Sequence, residues 1–506
     1  MDKYKLKEYI KILEENNLVS ELIDIDNILE KEVKHFSYNS NDIIEDTLFI
    51  CKGATFKEEY LKSSIEKGAF VYISERKYDL DFPCIIVNNI RDSLAILSKM
   101  YFNNPDEKLN IIGITGTKGK STTLYYIKSI FNKYYEDMNK SKVGYLSTIE
   151  TYDGKNRYES LLSTPESYDL YRNFRNMVDS NIHDVVMEAS SQALKYNRLG
   201  SLMFDISLFL NIGEDHISDV EHPDFEDYLN SKMRIFEKSK TTYINLDDEY
   251  SSRIIDKAKE SLKSVYTYSV NNSNADVFGY DIRKARISTL FKVKCNKFDS
   301  EFELTMPGLF NVSNALAAIA VANYYDIPEK YIIAGIKEAK VPGRMEIYKS
   351  QDEKILSIVD YAHNKLSFEK IYETIRKEYP ERKIITVFGC PGSKAQSRRK
   401  DLGTLAGINS DKIYITADDP AYEKVIDISN EIVQYVKLNN NNYEIIEDRE
   451  ESIKNAVKFI LSENDSYILL ILGKGSENRQ KVNGKAQEYI SDSICITKCI
   501  EEYENN

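Results

Sequence analysis

The sequence predicts an α/β protein built around parallel β-sheets. Short apolar runs rich in β-branched residues recur along the chain with helix-like segments between them, as buried parallel strands do. Several runs end directly in Gly, Asp, Glu, Asn or His, and open α/β sheets bind ligands at the carboxyl ends of their strands. The predicted strands lie within residues 109–115, 183–190, 204–211, 355–363, 383–390, 411–419 and 467–475.

The length of 506 residues predicts about three domains, since a domain usually has about 100 to 200 residues. One boundary is expected in FNNPDEKLN at 102–110, just before the strongest motif. A second is expected in VPGRMEIY at 341–348, where Pro342 and Gly343 interrupt the pattern. The predicted domains are therefore 1–108, 109–342 and 343–506.

Composition argues against several classes of function. The 68 Lys and Arg against 81 Asp and Glu give a net charge of −13, which disfavours binding to nucleic-acid phosphates. No stretch approaches the roughly 20 apolar residues that span a bilayer, and the N-terminus lacks the apolar core of a signal peptide. The six cysteines are scattered without metal-ligand spacing. We expect a cytoplasmic protein with reduced thiols and no membrane insertion.

A glycine-rich segment at 113–122 has the features of a phosphate-binding loop. It follows a β-branched run and precedes LYYIKSIFNKYY at 124–135, a predicted helix. Its glycines let backbone N–H groups approach phosphate, Lys120 can neutralise the β/γ charge, and the Ser121 hydroxyl can reach Mg²⁺. An incidental Gly-rich turn would leave the Gly-Lys-Ser-Thr order unexplained. The predicted nucleotide-binding residues are Gly116, Thr117, Lys118, Gly119, Lys120, Ser121 and Thr122.

A metal site is predicted beside this loop. Glu188 ends one strand-like run and His216 follows another, so both could face the same phosphate. A carboxylate and an imidazole, together with Ser121, suit a divalent ion that bridges ATP and an acceptor oxygen. Pattern alone leaves open that His216 is a structural hydrogen-bonding residue.

Several motifs resemble those of the Mur ligase superfamily. The form Gly-Thr-x-Gly-Lys-Ser-Thr resembles its phosphate loop. MEASSQAL at 187–194 resembles its Met-Glu-x-Ser-Ser-x-Ala-Leu, and NIGEDH at 211–216 resembles its Asn-x-x-x-Asp-His. The resemblance implies a three-domain architecture with a central P-loop ATPase sheet and a C-terminal Rossmann-like domain, and it implies use of ATP and Mg²⁺. The catalytic residues it implies are Lys120, Glu188, His216, Lys232 and Arg344.

Lys232 lies in EDYLNSKMRIF at 226–236, which resembles the stretch whose lysine is carbamylated in many Mur ligases. A carbamate would turn this cation into an anion that helps to hold Mg²⁺, whereas an unmodified lysine would repel the metal. The alternative is an ordinary surface lysine on a helix. The preceding segment, 217–231, is longer than the usual family loop and lacks its Asp-Tyr/Phe-His element.

Two further segments resemble the family's nucleotide contacts. MPGLFNVSNALAAIAVA at 306–322 resembles the adenine-side segment, which implies that Asn311 contacts the base. VPGRME at 341–346 and VDYAHN at 359–364 imply that Arg344 contacts phosphate and that Asp360 contacts the ribose or the catalytic site. Without the resemblance, Arg344 and Asp360 could equally form structural salt bridges.

The resemblance also implies a uridine-nucleotide and muramoyl-peptide site. The segment 39–56 resembles the uridine-nucleotide region, where only Ser40 remains of the usual Asp-Ser-Arg and is flanked by Asn39 and Asn41. STPES at 163–167 resembles a Thr-Thr-Pro segment near the muramoyl peptide. The substrate-binding residues implied in the first two domains are Ser40, Ser163, Thr164, Ser190, Arg198 and Lys232.

The third domain would bind the added amino acid. At 387–403 the family's Asp-Arg-Asp has become Ser393-Lys394-Ala395, and GKGSENRQ at 473–480 keeps Gly473 and Glu477. In ADDPAYE at 417–423, Ala421 stands where diaminopimelate-adding enzymes carry Arg. A methyl group cannot pair with a distal carboxylate. Asp418, Asp419 and Glu477 could instead pair with a distal ammonium, which predicts L-lysine, then L-ornithine, over meso-diaminopimelate.

The implied function is an ATP-dependent ligase that adds the third amino acid to UDP-N-acetylmuramoyl-L-alanyl-D-glutamate in peptidoglycan synthesis, acting as a monomer. One alternative is a related superfamily ligase of the poly-γ-glutamate or folate type, although the folate type lacks a domain before the phosphate loop. Another is a non-enzymatic nucleotide-binding regulator. The latter leaves unexplained why Lys120, Glu188, His216 and Lys232 are all present.

Overall fold

The computed structural model describes residues 4–53, 56–214, 217, 221–285, 288–393 and 396–505. They form two compact units, which are described separately. The first unit comprises Met1–Tyr280, Lys292–Phe302 and Ser313–Lys337. The second comprises Asp281–Phe291, Glu303–Val312 and Glu338–Asn506. The division into three domains at 108 and 342 remains a prediction.

The first unit begins with a sheet in the order β1-β5-β4-β3-β2. Strand β1 is antiparallel to β5, and the other neighbours are parallel. The elements are α1 Leu6–Glu15, β1 Val19–Ile23, β2 His35–Ser37, β3 Thr47–Ile50, α2 Glu58–Glu66, β4 Ala69–Ser74, β5 Cys84–Val87 and α3 Ile90–Tyr101.

After α3 the chain forms the strand, glycine-rich loop and helix that the sequence predicts at 109–135, and then the elements that surround them. The elements are β6 Asn110–Thr115, α4 Lys120–Asp137, β7 Gly144–Leu146, β8 Glu150–Tyr152, β9 Arg157–Glu159, α5 Ser167–Asp179, β10 Asp184–Glu188, α6 Ser191–Lys195, β11 Phe204–Phe209, α7 Phe225–Met233, β12 Ser239–Asn245, α8 Ser251–Ser261, β13 Ser264–Ser269, β14 Val277–Ala285, β15 Ser288–Lys294, β16 Asp299–Leu304, α9 Phe310–Tyr324 and α10 Glu329–Glu338.

The parallel part of the sheet in this unit places the predicted site loops together. Its order is β13-β12-β11-β6-β10-β7, and each adjacent pair is parallel. The buried runs at 109–115, 183–190 and 204–211 form strands, as predicted, and the structure shows that these three strands are neighbours in the sheet. Because β11, β6 and β10 are adjacent and parallel, the loops that follow their carboxyl ends meet at one edge of the sheet.

The second unit contains a sheet in the order β17-β18-β22-β19-β20-β21, parallel except for β17. This confirms the four predicted strands of the C-terminal segment. The elements are β17 Glu346–Lys349, β18 Leu356–Asp360, α11 Lys365–Glu378, β19 Lys383–Phe388, α12 Ser397–Asn409, β20 Lys412–Ile415, α13 Val425–Val436, β21 Tyr443–Ile445, α14 Arg449–Ser462, β22 Tyr467–Leu472, β23 Arg479–Val482, β24 Lys485–Glu488 and α15 Asp492–Glu504.

Among the described residues, no helix combines the length and apolar character needed to cross a membrane. All six cysteines are free thiols, and five of them are buried.

Candidate active site

The glycine-rich loop joins β6 to α4 and is held by Asn211, which follows β11. The Lys118 N–H donates to Asn211 Oδ1 at 2.9 Å, and Asn211 Nδ2 donates to the Lys118 carbonyl at 3.1 Å. Gly119 adopts φ +86°, and a Cβ there would lie 2.3 Å from Asn314 Oδ1. The positive φ at 119 therefore favours glycine, and the Asn314 side chain would have to move to admit a Cβ there.

Lys120 begins α4, so its ammonium lies beside the loop at the positive end of the helix dipole. Its Nζ donates to the carbonyls of Gly116 at 2.8 Å and Thr117 at 3.2 Å. Loop carbonyls thus hold the lysine ammonium against the glycine-rich loop. Glycine-rich backbone, a helix N-terminus and a lysine in this arrangement suit the phosphates of a nucleotide.

Glu188 is a fully buried carboxylate at the carboxyl end of β10, next to the loop. Ser121 Oγ donates to its Oε1 at 2.7 Å. Thr148 donates to both oxygens, from its N–H at 2.8 Å and its hydroxyl at 2.9 Å. Oxygen ligands are those that Mg²⁺ prefers, so Ser121 and Glu188 fit the predicted metal. The third predicted ligand, His216, lies outside the described residues. Among those described, no group of three or more His, Cys, Asp and Glu could hold a metal.

Lys232 is buried on α7, so the surface-lysine alternative is wrong. Its Nζ donates to the Gly116 carbonyl at 2.9 Å and lies 4.6 Å from the centre of the Tyr228 ring. The Tyr228 hydroxyl in turn donates to Thr117 Oγ1 at 3.2 Å. The structure therefore brings the predicted carbamate-bearing residue directly against the phosphate loop.

The hydroxyl residues predicted to bind substrate surround Glu188. Thr164 Oγ1 donates to the Glu188 carbonyl at 2.9 Å and accepts from the Ser190 N–H at 3.0 Å. Thr148 Oγ1 and Ser163 Oγ lie 2.8 Å apart, within hydrogen-bond distance. Since the Glu188 side chain also accepts from Ser121, one buried residue contacts both the predicted nucleotide-binding residues and the predicted substrate-binding residues.

Arg198 lies beside these hydroxyl-bearing residues. Its guanidinium donates to the Thr164 carbonyl, with a separation of 3.4 Å, and its Nε is 3.1 Å from Glu166 Oε1. Ser40 lies in the N-terminal part of the first unit, where it lines a cavity of about 390 Å³. Four of the described aromatic residues line the same cavity together with Asn39 and Asn41, a composition suited to a flat, polar ring.

Sequence reasoning missed His222, which is fully buried. Its Nδ1 lies 2.6 Å from Asp227 Oδ2, and its Nε2 lies 2.9 Å from Ser191 Oγ. The imidazole thus ties the first turn of α7 to α6. His222 lies in the atypical segment before Lys232. The sequence feature that could have identified it is a histidine five positions before an aspartate in the first turn of a helix.

In the second unit, Asp360 ends β18 and is mainly bonded to backbone. It accepts from the Met345 N–H and the Ala362 N–H, both at 2.7 Å. Burial raises its pKa, while Arg344 acts to lower it. The Arg344 guanidinium lies 5.0 Å from the centre of the Tyr361 ring. Asn311 donates to the Pro307 carbonyl at 2.6 Å. The nucleotide contacts of these three residues remain predictions.

The predicted amino-acid pocket contains a lysine that sequence reasoning did not select. Lys474 is buried, and its Nζ lies 2.9 Å from Asp419 Oδ1 and 2.5 Å from Glu477 Oε2. An ammonium of the chain itself therefore occupies the position expected for a substrate ammonium. Burial raises the pKa of Glu477, and Lys474 opposes that shift. Gly473, in the Gly-Lys-Gly motif, precedes this lysine.

Asp418, the residue before Asp419, is also buried. Burial raises its pKa, against the opposing charges of Arg449 and Lys474. Arg449 pairs with Asp492 at 2.8 Å and donates to the carbonyls of Ala417 at 3.1 Å and Leu472 at 2.9 Å. This second missed cation holds the strand ends that position Asp418. The partners of Arg449 lie 23 to 43 positions away in the chain, so no local sequence pattern marks this arginine.

Ala421 follows these carboxylates with φ +53°, and its N–H donates to the Lys481 carbonyl at 2.9 Å. The remaining predicted residue of this pocket, Lys394, lies outside the described residues.

Comparisons with known proteins agree with this geometry. Residues 114–322 match the Mur ligase middle domain, and residues 343–475 match the Mur ligase glutamate ligase domain. The UDP-N-acetylmuramoyl-L-alanyl-D-glutamate--L-lysine ligase of Streptococcus pneumoniae strain D39 is 34% identical over 497 residues, covering 97% of this chain and 98% of the relative. The ligase of the same name from Enterococcus faecalis strain V583 is 35% identical, covering 95% and 96%.

A solved UDP-N-acetylmuramoyl-L-alanyl-D-glutamate--2,6-diaminopimelate ligase is similar in fold. It has a TM-score of 0.69 at 21% identity, and the match covers 100% of both chains.

Proposed function

Because the chain belongs to the Mur ligase family of ATP-using, peptide-bond-forming ligases, we propose that it adds L-lysine to UDP-N-acetylmuramoyl-L-alanyl-D-glutamate. Near-full-length similarity to two L-lysine ligases supports this choice. The observation that carries the ligase chemistry itself is that buried Glu188 bonds to Ser121 beside the phosphate loop and lies among the predicted substrate hydroxyls. We also propose that the enzyme acts as a cytoplasmic monomer.

The reaction begins with transfer of the ATP γ-phosphoryl group to the D-glutamyl carboxylate. A carboxylate oxygen leaves poorly, and phosphorylation converts it into a good leaving group. Lys120 stabilises the charge on the transferring group, and Arg344 is proposed to contact phosphate as well. The neutral amine then attacks the acyl carbon, which forms the amide and expels phosphate.

Magnesium is proposed to bind at Ser121, Glu188 and His216. When bound, it would neutralise charge between the nucleotide and the acceptor oxygen. The hydroxyl and backbone N–H of Thr148 fix the Glu188 carboxylate, so its orientation is set before any ligand binds.

Carbamylation of Lys232 is proposed on the basis of its position. The modification joins Nζ of the lysine to the carbon of CO₂ and releases two protons, one from the ammonium and one as the N–C bond forms, which leaves one N–H on the nitrogen. That N–H can still donate to the Gly116 carbonyl, 2.9 Å away. The new carboxylate would then extend from a buried, fixed stem beside the phosphate loop, where it can help to hold the metal.

The proposed function is tested by measuring phosphate release from ATP with UDP-N-acetylmuramoyl-L-alanyl-D-glutamate and a panel of amino acids. We expect release that requires both the dipeptide nucleotide and an amino acid, with L-lysine giving the highest kcat/KM. Turnover with folates or poly-γ-glutamate, and none with the dipeptide nucleotide, would assign the chain to another acceptor. ATP binding without turnover on any acceptor would favour a regulator.

A further inference from the structure

The phosphate loop is bonded to segment 210–213, the stretch of chain that follows β11. The Thr117 N–H donates to the Asn211 carbonyl at 3.0 Å, and the Gly213 N–H donates to Thr117 Oγ1 at 3.0 Å. These bonds add to the pair between Asn211 and Lys118. Since consecutive residues of the loop are tied to segment 210–213, the position of that segment sets the position of the loop backbone.

The first residue of the segment is fixed by packing and by a buried amide. A Cβ at Gly116 would lie 3.0 Å from Leu210 Cβ, so the loop and the segment are in direct contact. Asn245, at the end of β12, is buried. Its Nδ2 donates to the Leu210 carbonyl at 3.1 Å and lies 3.3 Å from Ser313 Oγ. The segment therefore begins at a fixed point.

The middle of the segment is held by Asp248, which lies in the turn between β12 and α8. Asp248 Oδ2 accepts from the Ile212 N–H at 2.8 Å, and Oδ1 accepts from the Tyr250 N–H at 2.9 Å. Tyr250 is the N-cap residue of α8. One carboxylate thus joins the segment that carries the phosphate loop to the start of a helix.

Both oxygens of Asp248 are needed for these two bonds. A carboxylate offers an acceptor at each oxygen, whereas the amide of asparagine has one acceptor and would place an NH₂ group against the other N–H. Burial raises the pKa of Asp248, and the N–H groups of Ile212 and Tyr250 oppose that rise. Backbone N–H groups, and no cation among the described residues, therefore stabilise the negative charge of Asp248 in the fold.

We propose that Asp248 is a positioning residue for nucleotide binding, which fixes segment 210–213 and, through it, the phosphate loop. Asp248 acts through Ile212 and Asn211 and does not itself touch the nucleotide. Without its acceptor, the Ile212 N–H no longer anchors the segment, and Asn211 moves together with the loop residues bonded to it. Small displacements of that kind are costly where several backbone groups must converge on one phosphate. This inference rests on the use of ATP in the proposed function, and not on which acceptor or amino acid is joined.

The test is a calorimetric titration of the enzyme with ADP in the presence of Mg²⁺, with thermal unfolding recorded for every variant. Asp248→Ala should weaken ADP binding by about tenfold or more, and Asp248→Asn, which keeps one acceptor, by about threefold. In turnover assays Asp248→Ala should raise the KM for ATP and leave the KM for the added amino acid unchanged.

The matched control is Asp247→Ala. Asp247 also accepts from a backbone N–H, that of Val270 at 2.8 Å, but this bond supports the turn after β13. The control should therefore bind ADP as tightly as the wild type, even where its thermal stability falls.

Wild-type ADP affinity in folded Asp248→Ala would overturn the positioning role and leave the proposed function intact. Equal weakening in Asp247→Ala would also overturn it, because the loss would then follow from general destabilisation. Should Asp248→Ala fail to fold, unchanged affinity in Asp248→Asn would contradict the role. If the wild type does not bind ADP, both the inference and the use of ATP are wrong. Weakened ADP binding in Asp248→Ala, with no wild-type turnover on the dipeptide nucleotide, would support the role of Asp248 and reject the proposed acceptor.

Discussion

Single residues in this protein fall into those that sequence could select and those that only the fold reveals. Lys120, Ser121 and Glu188 belong to recognisable motifs, and the structure places them within hydrogen-bond reach of one loop. Lys474 and His222 were not selected from the sequence. The residues that they contact are either distant in the chain or carry no recognisable signal by themselves. No local pattern states that Lys474 meets Asp419, 55 positions away.

Replacement of Lys232 tests the proposed carbamate. Lys232→Ala should lose most activity, because the anion beside the Gly116 carbonyl is removed. Acetate or another small carboxylate should partly restore turnover by occupying the space that the buried side chain leaves. The measurement is kcat with and without added acetate, alongside the wild type. Full activity in the variant without acetate would refute the carbamate role.

Replacement of Ala421 tests amino-acid specificity. Ala421→Arg should shift the kcat/KM ratio of L-lysine to meso-diaminopimelate at least tenfold toward diaminopimelate, since a guanidinium can bind the distal carboxylate. Ala421 already has a Cβ at φ +53°, so arginine adds no new backbone strain there. Ala421→Gln is the uncharged control. An unchanged ratio would mean that specificity is set elsewhere, for example by Lys474 and its carboxylates.

At the scale of elements, α7 carries Lys232 and is held by His222. His222→Leu removes both bonds of the imidazole, to Asp227 and to Ser191. Since small misplacements of catalytic groups are costly, kcat should fall about ten- to a hundredfold with little change in the KM for the sugar nucleotide. His222→Gln, which can restore one bond, should recover part of the loss. Exposed His183→Gln is the control, and wild-type kcat in folded His222→Leu would contradict this role.

Helix α4 contains Lys128, a partly buried cation whose lowered pKa makes the stability of the folded protein depend on pH. Lys128 lies 4.3 Å and 4.1 Å from the ring centres of Tyr125 and Tyr145, and burial lowers its pKa to about 8 against the opposing charge of Glu150. Below pH 8 the folded state holds this buried charge at a cost. Between pH 8 and about 10.5 the unfolded state binds more protons, so stability from this group rises with pH.

Lys128→Met should therefore raise the free energy of unfolding at pH 7 by on the order of 2 kcal/mol. The advantage over wild type should shrink as the pH rises from 8 to about 10.5. Urea unfolding of both proteins at pH 7 and pH 10 measures the difference, and Lys140→Met, an exposed lysine beyond the helix, is the control. If the stability advantage of Lys128→Met over wild type grew with pH instead, the positive charge of Lys128 would not be destabilising.

At the scale of the whole molecule, the sequence predicted the strands, and the domain boundaries at 108 and 342 stay predictions. Apolar runs such as 109–115 and 467–475 are buried on both faces, which leaves a strong signal, and both are strands. The division into units depends on contacts between distant segments: residues 281–291 and 303–312 belong with the C-terminal unit, although they lie within the predicted middle domain. Local composition does not encode such pairings.

The central claim, that ATP activates a carboxylate for attack by an amine, has a direct test. The D-glutamyl side-chain carboxylate of UDP-N-acetylmuramoyl-L-alanyl-D-glutamate is labelled with ¹⁸O and turned over with ATP and L-lysine. If the γ-phosphoryl group is transferred to that carboxylate, one labelled oxygen leaves with phosphate when the amide forms. We therefore expect mass spectrometry to find one ¹⁸O in each phosphate released. Amide product accompanied by unlabelled phosphate would contradict the account.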